Sequence, residues 1–275
     1  MADAPSEDLS ASAPASTVPD TFDTRVAHIA RVYDYWLGGK DNYAADRAAA
    51  EQVIAAYPTI RTSVRAQRAF LGRAVHYLAA DEGIRQFLDI GTGLPSANNT
   101  HEVAQRTAPD ARVVYVDKDP IVLSHARALL TGSPQGATEY VDADLRDTSP
   151  ILEQAAVTLD FRQPMAVMLI GVLHCIPDDD DPPGIVARLM DAVPPGSHLI
   201  ISHPAADIQA EAMAAGSALL NEALAAPVTF RNRGQVARLF GRLDLVEPGL
   251  VSTSQWRSSA GAKPLNVWAG VARKT

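Results

Sequence analysis

Phe87-Leu88-Asp89-Ile90-Gly91-Thr92-Gly93 joins an apolar run of strand length to two glycines one residue apart. Such a turn lets the backbone reverse sharply, and its missing side chains let a ligand lie against the main chain. The spacing Gly91-x-Gly93-x-x-Ser96 has serine where a dinucleotide fingerprint carries its third small residue. Asp89 argues against a dinucleotide, because an acid at the end of the strand repels a pyrophosphate and attracts a cation. Outward from this turn, apolar runs alternate with helical stretches, and strands are expected at 86–90, 112–116, 138–141, 165–173 and 198–202. That alternation predicts a parallel sheet with helices on both faces. Asn99 followed by Glu102 marks one helix start, and Asp119-Pro120 another. Near the end, 243–251 and 266–272 both read as strands with no helical pattern between them, so they should add an antiparallel hairpin to the sheet.

Upstream of the turn, residues 24–80 are rich in helix formers broken by Gly38-Gly39 and Pro58, which predicts three helical pieces. The expected organisation is a flexible tail over 1–20, an N-terminal helical cap over 21–82 and a ligand-binding α/β domain over 83–275. The tail holds almost no large apolar side chain and cannot offset the entropy of ordering. A chain of 275 residues, 47% hydrophobic and 20% charged, suits one sizeable domain with an appendage. The apolar run 165–173 is far shorter than the ~20 residues of a membrane span. One cysteine, Cys175, leaves no internal disulfide or thiolate cluster, and no basic, apolar leader follows Met1, so the expected location is cytoplasmic with no membrane partner. A net charge of -8 leaves no overall attraction for nucleic acid, which is not expected as a partner.

Carboxylates recur at three successive strand ends: Asp89, Asp117 and Asp144. Asp117 stands 24 residues after Gly93, near the ~20-residue offset at which an acid meets a ribose diol. Asp144 could accept from an adenine amino group, and each acid alone could equally be a solvated turn or a helix cap.

With these motifs in place, the sequence resembles the class I S-adenosylmethionine-dependent methyltransferases: Asp89-x-Gly91-x-Gly93, Val116-Asp117-x-Asp119-Pro120, Asp142-Ala143-Asp144-Leu145 and Leu173-His174-x-Ile176-Pro177-Asp178 stand in the order of that class's motifs. More closely, Ala30-Arg31-Val32-Tyr33-Asp34-Tyr35-Trp36-Leu37-Gly38-Gly39-Lys40-Asp41-Asn42-Tyr43 is similar to the hallmark of a bacterial S-adenosyl methyltransferase family formerly catalogued as a domain of unknown function. The resemblance implies a Rossmann-like, seven-stranded sheet with its last hairpin antiparallel, and S-adenosyl-L-methionine as cofactor. It implies the methionine part over Gly91, Thr92 and Gly93 beside Asp89, the ribose on Asp117, and the adenine near Lys118, Asp144 and Leu145. It supplies no acceptor; a small molecule is expected.

The cap concentrates aromatics, with Tyr33, Tyr35, Trp36, Tyr43 and Tyr57 within 25 residues. Tyr33, Trp36 and Tyr43 are expected to cover cofactor or substrate, where an aromatic face attracts a sulfonium, and the Gly38-Gly39 turn should bring residues 40–43 over the pocket. Helix-to-sheet packing is the other account of these rings. Arg61, Arg65 and Arg68 share one helical face, and Arg65 is expected to meet the cofactor carboxylate or an acidic substrate. His174 after the fourth strand is the first candidate general base and His203 after the fifth the second, since imidazole titrates near neutrality. Either could instead be a structural histidine. The run of acids 178–181 reads as a turn and helix start, so no metal is expected. Two other readings remain: a regulatory or degenerate protein that binds the cofactor without turnover, and a nicotinamide oxidoreductase, which Asp89 disfavours.

Overall fold

The computed structural model describes residues 23–129 and 132–275, so the tail expected over 1–20 lies outside the described residues. Three helices, α1 (Ile29–Leu37), α2 (Ala44–Ala56) and α3 (Ile60–Ala80), precede the first strand, β1 (Gln86–Ile90). Then follow α4 (Thr100–Thr107), β2 (Arg112–Asp117), α5 (Pro120–Leu129), β3 (Ala137–Asp142), α6 (Thr148–Ala155), β4 (Ala166–Ile170), α7 (Pro182–Asp191) and β5 (His198–Pro204). The chain ends with α8 (Ala210–Ala223), α9 (Arg233–Leu239), β6 (Asp244–Leu245), β7 (Val251–Ser252) and β8 (Val267–Arg273). Asn99 and Glu102 close the expected capping box on α4.

The strands lie in the order β3-β2-β1-β4-β5-β8-β6, with β7 also on β8. The first five are parallel, and β8 pairs antiparallel with β5, β6 and β7. The sheet has eight strands where seven were expected, because the stretch read as one strand over 243–251 is split. Pro248 has no N–H to give a ladder and Gly249 takes φ 82°, so pairing with β8 stops after Leu245 and resumes at Val251 in a shifted register. The fourth strand is shorter than expected, since Leu173 opens a 3-10 turn, Leu173–Cys175.

Alternation along β1 divides the core. Leu88 and Ile90 join the apolar layer beneath α6, α7 and α9, whereas Phe87 joins the layer beneath α3 and α4. Each such side chain, fully buried, contributes roughly 1.5–3 kcal/mol. A third apolar cluster holds the cap together, and it does not stop at residue 82: Leu220 and Val228 pack with Val32, Trp36, Val53 and Val64. The cap is therefore built from α1, α2 and α3 together with α8 and the segment that follows it.

Candidate cofactor site and its cap

The order of the strands reverses between β1 and β4, and a parallel sheet opens a crevice at such a point, beyond its carboxyl ends. A cavity of about 290 Å³ lies there. Its floor is the set of strand ends that the sequence singled out: Asp89, Gly91, Thr92 and Gly93 at the end of β1, Asp117 and Lys118 at the end of β2, and Asp144 and Leu145 after β3. Gly91 (φ 73°) and Gly93 (φ 64°) both take the left-handed backbone region. At Gly91 a Cβ would stand 2.2 Å from Val172 Cγ2, so no side chain fits between the turn and the end of β4.

The acids on this floor differ in their partners. Asp89 is buried, and its Oδ2 accepts from Thr100 Oγ1 at 2.6 Å. Burial pushes its carboxyl up to about 6, against the opposing pull of the Thr100 hydrogen bond and the Arg68 guanidinium. Asp117 accepts from the backbone N–H groups of Gly93 and Asp119, each at 3.0 Å, which fixes the carboxylate and leaves lone pairs on both oxygens for a diol. Burial raises its carboxyl above the ordinary range, with those two N–H bonds opposing. Asp144 accepts from Arg146 N and Nη1 at 3.0 and 2.8 Å and from Lys118 Nζ at 3.3 Å. There burial pulls upward but is outweighed by the Arg146 N–H and the two cations, which hold the carboxyl below its usual value.

The roof comes from one face of α1 with the residues before it and from the segment after α8: His28, Tyr33, Asp34 and Leu37 on one side, Ala225 to Val228 on the other. The Gly38-Gly39 turn does not reach over the cavity, contrary to expectation. Asp34 Oδ2 accepts from Asp41 N at 2.9 Å and Asn42 Nδ2 at 2.7 Å, folding residues 39–42 back on the end of α1. A Cβ at Gly39 would stand 1.8 Å from Asp34 Oδ1, so glycine is needed for that fold-back. Tyr43 consequently caps α2, lies 41% exposed beside the Arg31 guanidinium, and does not line the cavity.

Other expected residues separate in the same way. Arg65 is exposed, and Arg68 lines the cavity in its place. At 3.6 residues per turn Arg68 flanks the buried stripe Val64, Gln67 and Leu71, while Arg65 lies about 100° from Val64. Tyr33 does line the cavity, donating its hydroxyl to Gln67 Oε1 at 2.5 Å, and burial raises its phenol. Trp36 is buried behind it, with Nε1 donating to Ala50 O at 3.2 Å.

Neither histidine is placed to act as a base on a ligand in this cavity. His203 is fully buried and both ring nitrogens are engaged: Nδ1 donates to Pro204 O, and Nε2 accepts from Arg231 Nη1, each at 2.9 Å. Burial pushes it down to about 3. His174 is buried, pushed down to about 4 by burial and then by the Arg231 charge, and it lines a different cavity. Sequence reading missed His28, Gln67, Arg68 and the segment after α8. Only Arg68 carried a signal, its membership of the arginine face; the others depend on how the cap docks.

The sequence model of the S-adenosyl methyltransferase family matches residues 15–275. The chain is similar to a protein of the DUF574 family from Streptomyces avermitilis MA-4680, at 41% identity over 92% of this chain and 99% of that one, with a TM-score of 0.89. It is equally similar, at 41% identity, to a candidate methyltransferase from Thermobifida fusca YX, over 95% of this chain and all of the other, with a TM-score of 0.86. No curated protein matches it. Fold and family together define a class I S-adenosylmethionine-dependent methyltransferase. The chain belongs to the S-adenosyl methyltransferase family.

The cradle suits that cofactor on chemical grounds: Asp89, Asp117 and Asp144 around the crevice, a turn stripped of side chains at Gly91, and a carboxylate with two oxygens available to a diol. Among the described residues no helix is long and apolar enough to cross a membrane.

Proposed function

We propose that this methyltransferase acts on a small molecule held under the cap, aligning its nucleophile with the methyl group for in-line displacement. What supports the small acceptor is the roof: α1 and residues 225–228 stand over the crevice and partly close it above the strand ends. When bound, S-adenosylmethionine supplies a methyl group on a sulfonium, whose departure leaves a neutral thioether.

In this reading Asp89 meets the ammonium and Arg68 the carboxylate of the methionine part, Gly91, Thr92 and Gly93 lie under it, Asp117 holds the ribose, and Lys118, Asp144 and Leu145 border the adenine. Tyr33 stays protonated and donates its O–H to Gln67 Oε1, so its oxygen lone pairs remain to accept from the O–H or N–H of a nucleophile. With His203 engaged and His174 outside the cavity, neither of these two serves as the base, and the residues supply alignment and exclusion of water. Holding two reactants in an attack geometry is worth effective molarities of about 10⁵–10⁸ M.

Asp117→Ala provides the test. It removes charge-assisted hydrogen bonds worth about 1.5–3 kcal/mol each, and calorimetry should show S-adenosylhomocysteine bound at least about tenfold more weakly. Unchanged affinity in a folded variant overturns the ribose assignment. For the acceptor, label transferred from methyl-labelled S-adenosylmethionine in a cell extract should appear in the low-molecular-weight fraction; label only in macromolecules overturns the small-molecule reading.

A further inference from the structure

Three side chains from separate elements form one hydrogen-bonded chain that ends at the cofactor-side cavity. The deepest is Ser202 on β5, which is fully buried. Its Oγ accepts from Gln67 Nε2 of α3 at 2.9 Å, and Gln67 Oε1 accepts in turn from the Tyr33 hydroxyl of α1 at 2.5 Å. Gln67 is 3% exposed, and it reaches β5 by crossing the end of β4 at Gly171. A Cβ on Gly171 would stand 2.3 Å from Gln67 Nε2, and Gly171 takes φ 68°, so a side chain there is strained and obstructs the crossing.

This chain has a direction. An amide presents donors at one end and an acceptor at the other, so with Nε2 committed to Ser202, Oε1 faces the Tyr33 hydroxyl. Burial raises the Tyr33 phenol and keeps it neutral. Its hydrogen is therefore directed to Gln67, and what Tyr33 presents to the cavity is oxygen lone pairs. A group with no hydrogen to give could meet Tyr33 only by drawing the hydroxyl away from Oε1, which would leave a buried amide oxygen unpaired.

We propose that Gln67 is a positioning residue for methyl transfer: held by Ser202 and admitted by Gly171, it fixes the Tyr33 hydroxyl as an acceptor, and so restricts the nucleophile to hydroxyl and primary or secondary amine groups, as against carboxylates and tertiary amines. The inference rests on the reading in which Tyr33 meets the nucleophile. As the nucleophile's lone pair bonds to the methyl carbon, the carbon–sulfur pair returns to sulfur, and the proton held toward Tyr33 leaves to water.

Two measurements on the full chain test it. In the unaltered protein saturated with S-adenosylhomocysteine, the Gln67 side-chain amide protons should give stronger nuclear Overhauser cross-peaks to the Ser202 β-protons than to the Tyr33 ring. The reverse order turns the amide round, frees the Tyr33 hydrogen for the cavity, and overturns the proposal without any variant. The second measurement follows label from methyl-labelled S-adenosylmethionine into the low-molecular-weight fraction of a cell extract. Gln67→Met keeps the length of the side chain and removes both polar atoms. It should slow transfer about fivefold, and Tyr33→Phe about tenfold, with S-adenosylhomocysteine affinity unchanged in each. Adding Gln67→Met to the Tyr33→Phe chain should slow transfer no further, because Gln67 acts through the hydroxyl already removed. Losses that multiply, or a Gln67→Met variant at full rate, would make Gln67 a structural residue and overturn the proposal. Label released by mild alkali marks a methyl ester, and that too would overturn it. Calorimetry on the unaltered chain separates the two readings: if S-adenosylhomocysteine does not bind, the methyltransferase reading falls first, whereas if it binds and the amide is reversed, only this inference falls.

Discussion

The strand-end cradle and the cap face each other across one cavity, yet they are made in different ways. The cradle places each group by a strand and the turn that follows it, so the position of Asp89, Gly91, Asp117 or Asp144 in the chain nearly fixes its position in space. The cap places its groups by packing: α1 is held by α2 and α3 from its own neighbourhood and by Leu220 and Val228 from more than 180 residues later. Local order therefore carries the strand-end side of the cavity, and long-range docking carries the cap side.

Matching substitutions at two glycines should show this difference most strongly. Gly91 and Gly38 both take positive φ, at 73° and 88°. Nothing stands within 4 Å of a Cβ at Gly38, whereas a Cβ at Gly91 meets Val172 at 2.2 Å. Gly38→Ala should cost only the left-handed backbone penalty of about 1–2 kcal/mol. Gly91→Ala adds overpacking of about 1–3 kcal/mol and should lose cofactor binding as the turn shifts. Denaturant melts of both variants check the order, and equal losses would mean the cap turn is as tightly built as the cradle.

A second test separates two arginines of one helical face, of which the sequence reading chose Arg65 and the cavity holds Arg68. Arg68→Ala removes a cavity-lining charge and should weaken S-adenosylhomocysteine by about tenfold or more, in keeping with a charge-assisted bond of about 1.5–3 kcal/mol. Arg65→Ala, on the exposed face, should leave affinity unaltered within error. The reverse outcome would restore the expectation drawn from the helical face alone.

What could be read in advance follows the same division. The capping box at Asn99 and Glu102, the three helical pieces of the cap, the parallel run and the antiparallel end all rest on signals within a few residues. The split of the sixth strand was foreseeable from Pro248-Gly249, since proline cannot serve a ladder, but the apolar pattern on either side concealed it. The roles of Tyr43, Trp36 and His174 were not legible. Tyr43 is turned away because Asp41 and Asn42 donate to the side chain of Asp34 and fold the segment before it back on α1, and Trp36 and His174 face a cavity that exists only because α8, inserted after β5, returns to the cap.

The pH dependence of binding tests the cradle on finer terms. Asp89 sits at about 6 without ligand, raised by burial. A carboxyl raised above its unfolded value binds its proton more tightly in the native chain. Its contribution to stability therefore falls as pH rises from the ordinary carboxylate range to about 6. A ligand ammonium favours the ionised form, so binding releases a proton below that point. Affinity for S-adenosylhomocysteine should fall about tenfold between pH 7 and pH 5, and Asp89→Asn should flatten the profile. A profile equally steep in the variant would assign the proton to another group.

The smallest expected effect, and the most direct reading of how the two regions cooperate, lies in hydrogen exchange. If the roof is ordered by the ligand beneath it, S-adenosylhomocysteine should slow exchange at residues 90–93, in α1 over residues 29–34, and in the segment 225–228, because a lid in contact with its ligand opens less often. Residues 39–43 should not change, since Asp34 already holds them and they do not line the cavity. Protection several-fold at 225–228 together with α1 would make the insertion after β5 part of the lid. Protection at 90–93 alone would make the cap a rigid wall, and the acceptor would then have to enter between α1 and residues 225–228 without their moving.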